Sequence, residues 1–278
     1  MHGLISSSTR AFVAGARRNV ITVVRYPDWM VSLIVWPILM PSLMVFGAKA
    51  LAGPDSSGLA AFAQRAGTSD YVGFVFTGMV MWMWLNTILW TVGGDLRAEQ
   101  QRGTLESNWM TPAPRLAILF GSGLMNTAIS LIPTALGLVI CRVFWGVELT
   151  ITPFLGLVFI MSMFAVYGLG LIFSAMVLHF KELNAAVFFV RGVFMVFCGL
   201  TYPLSILPPW MQAVSKALPL TYSIHLVRRV GLAGATYGSV ARDFGILTAF
   251  AVILTALGCA VFLAVDRSVK RNGTLGQY

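Results

Sequence analysis

DLRAEQQRGTLESNWMTPAP, residues 95–114, is the longest continuous polar run in a chain that is 58% hydrophobic. An apolar run long enough to cross a membrane ends just before it, and another begins just after it. About 20 apolar residues of helix cross the roughly 30 Å hydrocarbon layer. A polar segment held between two such spans can do little chemistry alone, but another protein can grip it. Gly103 bends or breaks it, because glycine is poor inside a helix. Pro112 and Pro114 stop it before the next span. Arg97, Arg102 and Arg115 place it on the cytoplasmic side, where basic loop residues gather. A plain connection between two spans is usually short; this one is long and also carries Leu105 and Trp109.

Working outward, the composition sets the class. Only 10% of the 278 residues are charged, and the mean hydropathy is +0.82. No soluble core of this size needs so much apolar surface. Backbone groups in lipid must bond internally, so continuous apolar runs are helices rather than strands. The chain reads as an all-α integral membrane protein with six transmembrane helices. Its formal charge of +9 does not point to nucleic acid, because the basic residues lie beside the spans, as the positive-inside bias requires. Cys141, Cys198 and Cys259 sit in apolar runs without CxxC spacing, so neither a disulfide nor a metal site is expected. No cleavable signal peptide is expected either: the first apolar run begins near Trp29 behind a long basic leader, without the short-core plan of a secretion signal.

Residues 4–25 read as an amphipathic helix. Arg10, Arg17, Arg18 and Arg25 fall within about a third of the helical circle, and apolar residues fill the far side, Ile21 excepted. Such a helix lies in the membrane interface with its basic face toward anionic headgroups. Span one is expected at 29–48, kinked by Pro37 and Pro41, with a Gly-, Ser- and Ala-rich loop over 49–70. Span two is expected at 71–94. Its Trp82, Trp84 and Trp90 point in different directions and read as packing and interface anchors rather than a ligand cage. Asn86 and Thr87 are its polar residues; Asn86 either makes an inter-helix hydrogen bond or lines a pathway. Spans three and four are expected at 116–140 and 154–178, the latter with Gly156, Gly168 and Gly170, which permit close helix approach. Span five, 184–201, carries Arg191 well inside the apolar run. A charge there is costly and marks function by default. It either snorkels to the headgroups or pairs structurally, or it meets an anionic group of a substrate. Beyond it, Pro208 and Pro209 suit a helix start. Two short amphipathic helices, 210–217 and 221–230, flank Pro219. Neither is long enough to span, so both sit at or re-enter the outer interface. Span six is expected at 244–265, before a basic tail. The Asn272-Gly273-Thr274 acceptor pattern is discounted, because that tail is cytoplasmic.

Two motifs carry a family resemblance. The polar segment fits E-x-x-x-G-T-L-E…T-P…R through Glu99, Gly103, Thr104, Leu105, Glu106, Thr111, Pro112 and Arg115. The region after span five fits P-x-x-x-L-P-x-W…L-P-x-T-Y…R through Pro203, Leu207, Pro208, Trp210, Leu218, Pro219, Thr221, Tyr222 and Arg228. Both make the chain resemble the membrane subunits of ABC-2-type exporters, over nearly its whole length. The resemblance implies an interfacial connecting helix over 1–27 and a six-span domain over 28–278. It implies that 95–114 seats in a cleft of an ATPase subunit, with Glu99, Arg102, Gly103, Thr104, Leu105, Glu106 and Arg115 in the contact. It implies that Pro208, Trp210, Pro219 and Tyr222, within half-helices at 208–232, close the pathway on the far side. Two membrane subunits, identical or homologous, would sit above two ATPases that bind ATP and magnesium.

Absences sharpen the mechanism. Only four lysines are present, none after glycine, so there is no Walker A loop in the chain. His2, His179 and His225 are scattered, with no HExxH and no GxSxG elbow. The chain is thus expected to be a transport subunit without a cofactor of its own. With both termini cytoplasmic in the inner membrane, eleven of the nineteen basic residues lie inside and seven outside. The apolar spans suit a drug-like, amphipathic or lipid-linked cargo. A polysaccharide exporter is the alternative within the class, and a membrane enzyme or sensor acting on lipid is the alternative outside it.

Overall fold

The computed structural model describes residues 28–51, 57–101, 115–180 and 184–272, together with five leader positions. Those positions, Val13, Ala14, Arg17, Ile21 and Arg25, are helical and exposed. The rest of the expected interfacial helix lies outside the described residues.

The described chain is helical throughout. Its helices are α1 (Asp28–Leu51), α2 (Ser57–Ala66), α3 (Tyr71–Gln101), α4 (Arg115–Trp145), α5 (Pro153–Phe180), α6 (Asn184–Phe197), α7 (Pro209–Lys216), α8 (Pro219–Val227) and α9 (Tyr237–Asn272). A single 3-10 turn, Leu204–Ile206, precedes α7, and a π turn, Arg228–Leu232, ends α8.

Four of these helices are long and apolar enough to cross a membrane: α3, α4, α5 and α9. The other two expected spans appear as shorter apolar stretches, Ile38–Gly47 within α1 and Val187–Phe197 within α6. The 14 residues of α6 rise about 21 Å at 1.5 Å each, short of the roughly 30 Å hydrocarbon layer. Its C-terminal stop is local: Gly199 takes φ +64°, a left-handed conformation that glycine enters without steric cost.

The boundaries elsewhere shift for identifiable reasons. The expected loop at 49–70 contains α2, because SGLAAFAQRA supplies good helix formers. Gly67 ends that helix at φ +70°, its N–H bonded to Ala63 O. Asp70 then caps α3, its Oδ1 accepting from Gly73 N at 2.8 Å. Thr152 caps α5 in the same way, through Leu155 N at 3.1 Å. Pro209 and Pro219 each occupy the first turn of α7 and α8, where the missing N–H has no intrahelical partner to lose. Pro219 therefore starts a helix, besides breaking the chain before it. Helix α9 runs well beyond the apolar core at both ends, through YGSVARD before it and DRSVKRN after it.

Helices α3 and α5 form the centre. In α3, 78% of the apolar window is buried, against 29% in α4 and 22% in α9. Helix α3 packs against α1, α4, α5, α6 and α8, and α5 packs most extensively against α9. Close approach is built from small residues. A Cβ on Gly168 of α5 would lie 2.3 Å from the Leu254 carbonyl carbon of α9, and one on Gly258 would lie 2.5 Å from Gly168 O. A Cβ on Gly170 would meet Val92 of α3 at 2.9 Å. Of the three glycines expected to allow contact on this span, Gly168 and Gly170 do so, while Gly156 has nothing within 4 Å. Hydroxyls then bridge the helices: Ser174 Oγ donates to Val92 O at 2.7 Å, Tyr167 Oη to Leu119 O at 2.8 Å, and Thr255 Oγ1 to Phe164 O at 2.9 Å.

Candidate functional site

Two groups of residues stand out, one between α3 and α6 and one at the end where α7 and α8 lie. In the first group, Arg191 lies on α6, and its Cζ sits 5.5 Å from the Trp82 ring, 5.9 Å from Trp90 and 5.4 Å from Phe188. Trp90 and Phe188 also meet edge to face at 5.7 Å. Three rings thus stabilise the cation through their quadrupoles, about 0.5–2 kcal/mol each, but they do not neutralise it. Arg191 Nε is buried with no hydrogen-bond partner among the described residues.

The same stretch of α3 carries further unpaired atoms. Trp82 Nε1, Trp84 Nε1 and Asn86 Oδ1 are buried without partners. Such groups ordinarily cost about 1–3 kcal/mol each when left unmade, so their clustering calls for an explanation. Trp82, Asn86 and Trp90 are spaced four residues apart, and side chains at that spacing share one face of a helix. The tryptophans pack, as expected of anchors, and two of them share one partner. Trp82 and Trp90 do flank one guanidinium, whereas Trp84 turns away to pack edge on against Phe159 of α5 at 5.5 Å. The signal was present in the sequence: positions eight apart lie only about 80° apart on the helical wheel.

The second group comprises α7, α8 and the turns around them. Pro208 and Trp210 are exposed, and Trp210 packs against Phe197 at the end of α6, 6.1 Å between rings. Pro219 is buried at the start of α8. Tyr222 packs against Phe250 of α9 at 5.8 Å, and its hydroxyl donates to Lys216 O at 3.1 Å. Of the residues expected at an outer gate, Trp210 therefore faces α6 and Tyr222 faces α9. His225 Nδ1 meets Asp243 Oδ2 at 3.1 Å across the α8–α9 contact. A cavity of about 960 Å³ opens beside α8, with Thr68, Asp70, His225, Arg228 and Arg229 among its polar lining.

The polar segment of residues 95–114 is described in part. Helix α3 continues through Gln101, so Glu99 extends span two as helix, and Arg115 begins α4. Arg102, Gly103, Thr104, Leu105 and Glu106 lie outside the described residues, as does any helix they form. Among the described residues no group of three or more His, Cys, Asp or Glu side chains could hold a metal.

Fold and site together define a multi-pass helical membrane protein with a part-buried cation between α3 and α6 and two half-helices at one end. The family model for the ABC-2 type transporter matches residues 10–232, and the chain belongs to that family. The match takes in the polar segment, α6 and both half-helices, and stops before α9. The matched residues make up a membrane permease domain of the ABC-2 type, and that domain contains no ATPase domain. Permeases of this family generally pair with ABC ATPase subunits. A stretch of 74 residues is 32% identical to the uncharacterized protein YhgE of Bacillus subtilis (strain 168), covering 27% of this chain and 9% of that relative.

Proposed function

We propose that this chain is the transmembrane subunit of an ATP-driven exporter. It moves an amphipathic, drug-like or lipid-linked substrate across the cytoplasmic membrane by alternating access, with both termini on the cytoplasmic side. The observation that carries the substrate class is Arg191, a cation among Trp82, Trp90 and Phe188 with no carboxylate partner among the described residues. Aromatic walls accept an apolar body, and an uncompensated guanidinium accepts an anionic group through paired, charge-assisted hydrogen bonds. Asn86, on the same face of α3, supplies a further polar contact.

Six spans are counted in this reading, with α1 and α6 crossing alongside the four longer helices. Both of those helices expose large apolar side chains: Trp36, Leu39, Leu43 and Phe46 on α1, and Phe188, Phe189, Met195 and Val196 on α6. Lipid covers part of these faces, and a second membrane subunit, identical or homologous, covers the rest. Residues 95–114 seat in a cleft of the ATPase, where Glu99 and Glu106 pair with basic residues and Arg102, Gly103, Thr104, Leu105 and Arg115 shape the contact. ATP and magnesium bind on the ATPase, not here. The two conformations must differ in their affinity for that partner, or no work is coupled. Pro208, Trp210, Pro219 and Tyr222 close the far side.

The test is a pair of lipid-like probes, one with an anionic and one with a neutral headgroup, applied to the complex in proteoliposomes. Arg191→Gln should weaken stimulation of ATP hydrolysis by the anionic probe about tenfold, the loss of one charged contact, and leave the neutral probe unchanged. Equal responses to both probes in wild type and variant would remove the anionic substrate class.

A further inference from the structure

A second, part-buried cation lies away from the Arg191 cluster and has a different kind of surrounding. Arg228 follows α8. Its Nε and Nη2 donate to Phe74 O at 3.1 and 2.8 Å, Nη1 donates to Gly199 O at 2.9 Å, and Nη2 also reaches Leu200 O at 2.6 Å. Its Cζ lies 3.3 Å from the centroid of the Phe74 ring. Four of the five guanidinium N–H groups are thus committed to three carbonyls. Those carbonyls come from two places, the first turn of α3 and the turn that ends α6.

The neighbours are shaped to admit this contact. Gly78 lies one turn beyond Phe74. A Cβ there would sit 2.1 Å from Leu200 O and 2.6 Å from Arg228 Nη2, so any side chain would push the turn and the guanidinium away. Gly199 holds the turn at φ +64°. Burial lowers the Arg228 pKa to about 9, which leaves the group charged at neutral pH. Lysine could not replace it, since one compact ammonium cannot reach carbonyls on two segments in a fixed fork.

Helix α3 extends from this contact toward the polar segment. It is one helix from Tyr71 to Gln101, without a proline in its sequence. Phe74 and residue 95, where the polar segment begins, are therefore about 32 Å apart along a single rod at 1.5 Å per residue.

We infer that Arg228 is the joint through which α3 carries movement of the polar segment to the outer half-helices. A displacement of α3 moves the Phe74 carbonyl. The guanidinium holds that carbonyl and both carbonyls of the turn, so α8 and the end of α6 follow. Arg228 is a positioning residue: it acts through α3 and need not touch substrate. The inference rests on the exporter reading, because it needs a partner that moves the polar segment.

The test uses the full chain with its ATPase partner in lipid nanodiscs and proteoliposomes. With spin labels at Ser69→Cys and Arg229→Cys, in a Cys259→Ala background because Cys141 and Cys198 are buried, the wild-type joint gives one narrow distance that ATP does not change. Arg228→Lys broadens it. In unlabelled protein, Arg228→Lys and Gly78→Ala retain ATPase binding and basal hydrolysis, but substrate moved per ATP falls about tenfold, within the usual range for coupling between sites. A label distance that changes with ATP in otherwise wild-type protein would overturn the joint without any substitution at Arg228. So would a wild-type transport ratio in Arg228→Lys. If the wild-type chain binds no ATPase, the exporter reading itself falls, a result distinct from bound ATPase with unchanged coupling.

Discussion

At Gly168 the α5 and α9 backbones come close enough to exclude any side chain, and a single methyl group decides whether they can pack. Gly168→Val should destabilise the bundle by roughly 1–3 kcal/mol, the usual range for overpacking, seen as a lower melting temperature in detergent. Gly156→Val should leave it unchanged, because nothing lies within 4 Å of that Cβ. The sequence grouped Gly156, Gly168 and Gly170 as equals, since a glycine says nothing about which neighbour faces it. His225 gives a second prediction at this scale. Burial lowers its pKa below the ordinary 6.5, with Arg229 and Arg228 acting in the same direction and Asp243 against them. The folded state then binds fewer protons than the unfolded state near pH 6. The contribution is full above the unfolded value and is lost as pH falls through the folded one. Melting temperatures measured at about pH 7.5 and pH 5.5 should fall further for wild type than for His225→Asn. The side chain is half exposed, so the difference is small.

At the scale of elements, helix existence was more legible than helix ends. Apolar runs located α3, α4, α5 and α9, and Pro208 and Pro209 located the start of α7, whereas Pro219, read as a break, itself begins α8. Hydropathy stopped α3 at 94 and α9 at 265, because it senses the lipid-facing core and not the polar turns that continue a helix into water. The short helix α2 was missed for the opposite reason: its alanines carry helix propensity but no apolar run. The Gly93–Gly94 pair of α3 lies just before the polar segment, and a Cβ on Gly94 would meet nothing within 4 Å. Gly94→Ala should therefore stabilise α3 by about 0.5–1 kcal/mol, the usual glycine penalty in a helix. If α3 transmits as a rod, this variant keeps its transport per ATP, which proteoliposome flux against hydrolysis measures. A fall in that ratio would show that coupling needs α3 to bend there.

For the whole molecule, the class was legible from composition and the family from two motifs, which the ABC-2 match over residues 10–232 bears out. Of the Arg191 surroundings, only the shared side of Trp82 and Trp90 on α3 was legible. The rest depends on which face of α3 meets α6, and no property of either run alone contains that. The Arg228 contact was hidden more deeply, since it binds backbone carbonyls, which every sequence supplies equally. The proposed connection of residues 95–114 to an ATPase is tested most directly by purifying the tagged chain in mild detergent from its own cells. A Walker-type ATPase should co-purify, and Glu106→Lys should release it or leave hydrolysis without transport. A chain that emerges alone, with no nucleotide hydrolysis in any fraction, would contradict the account.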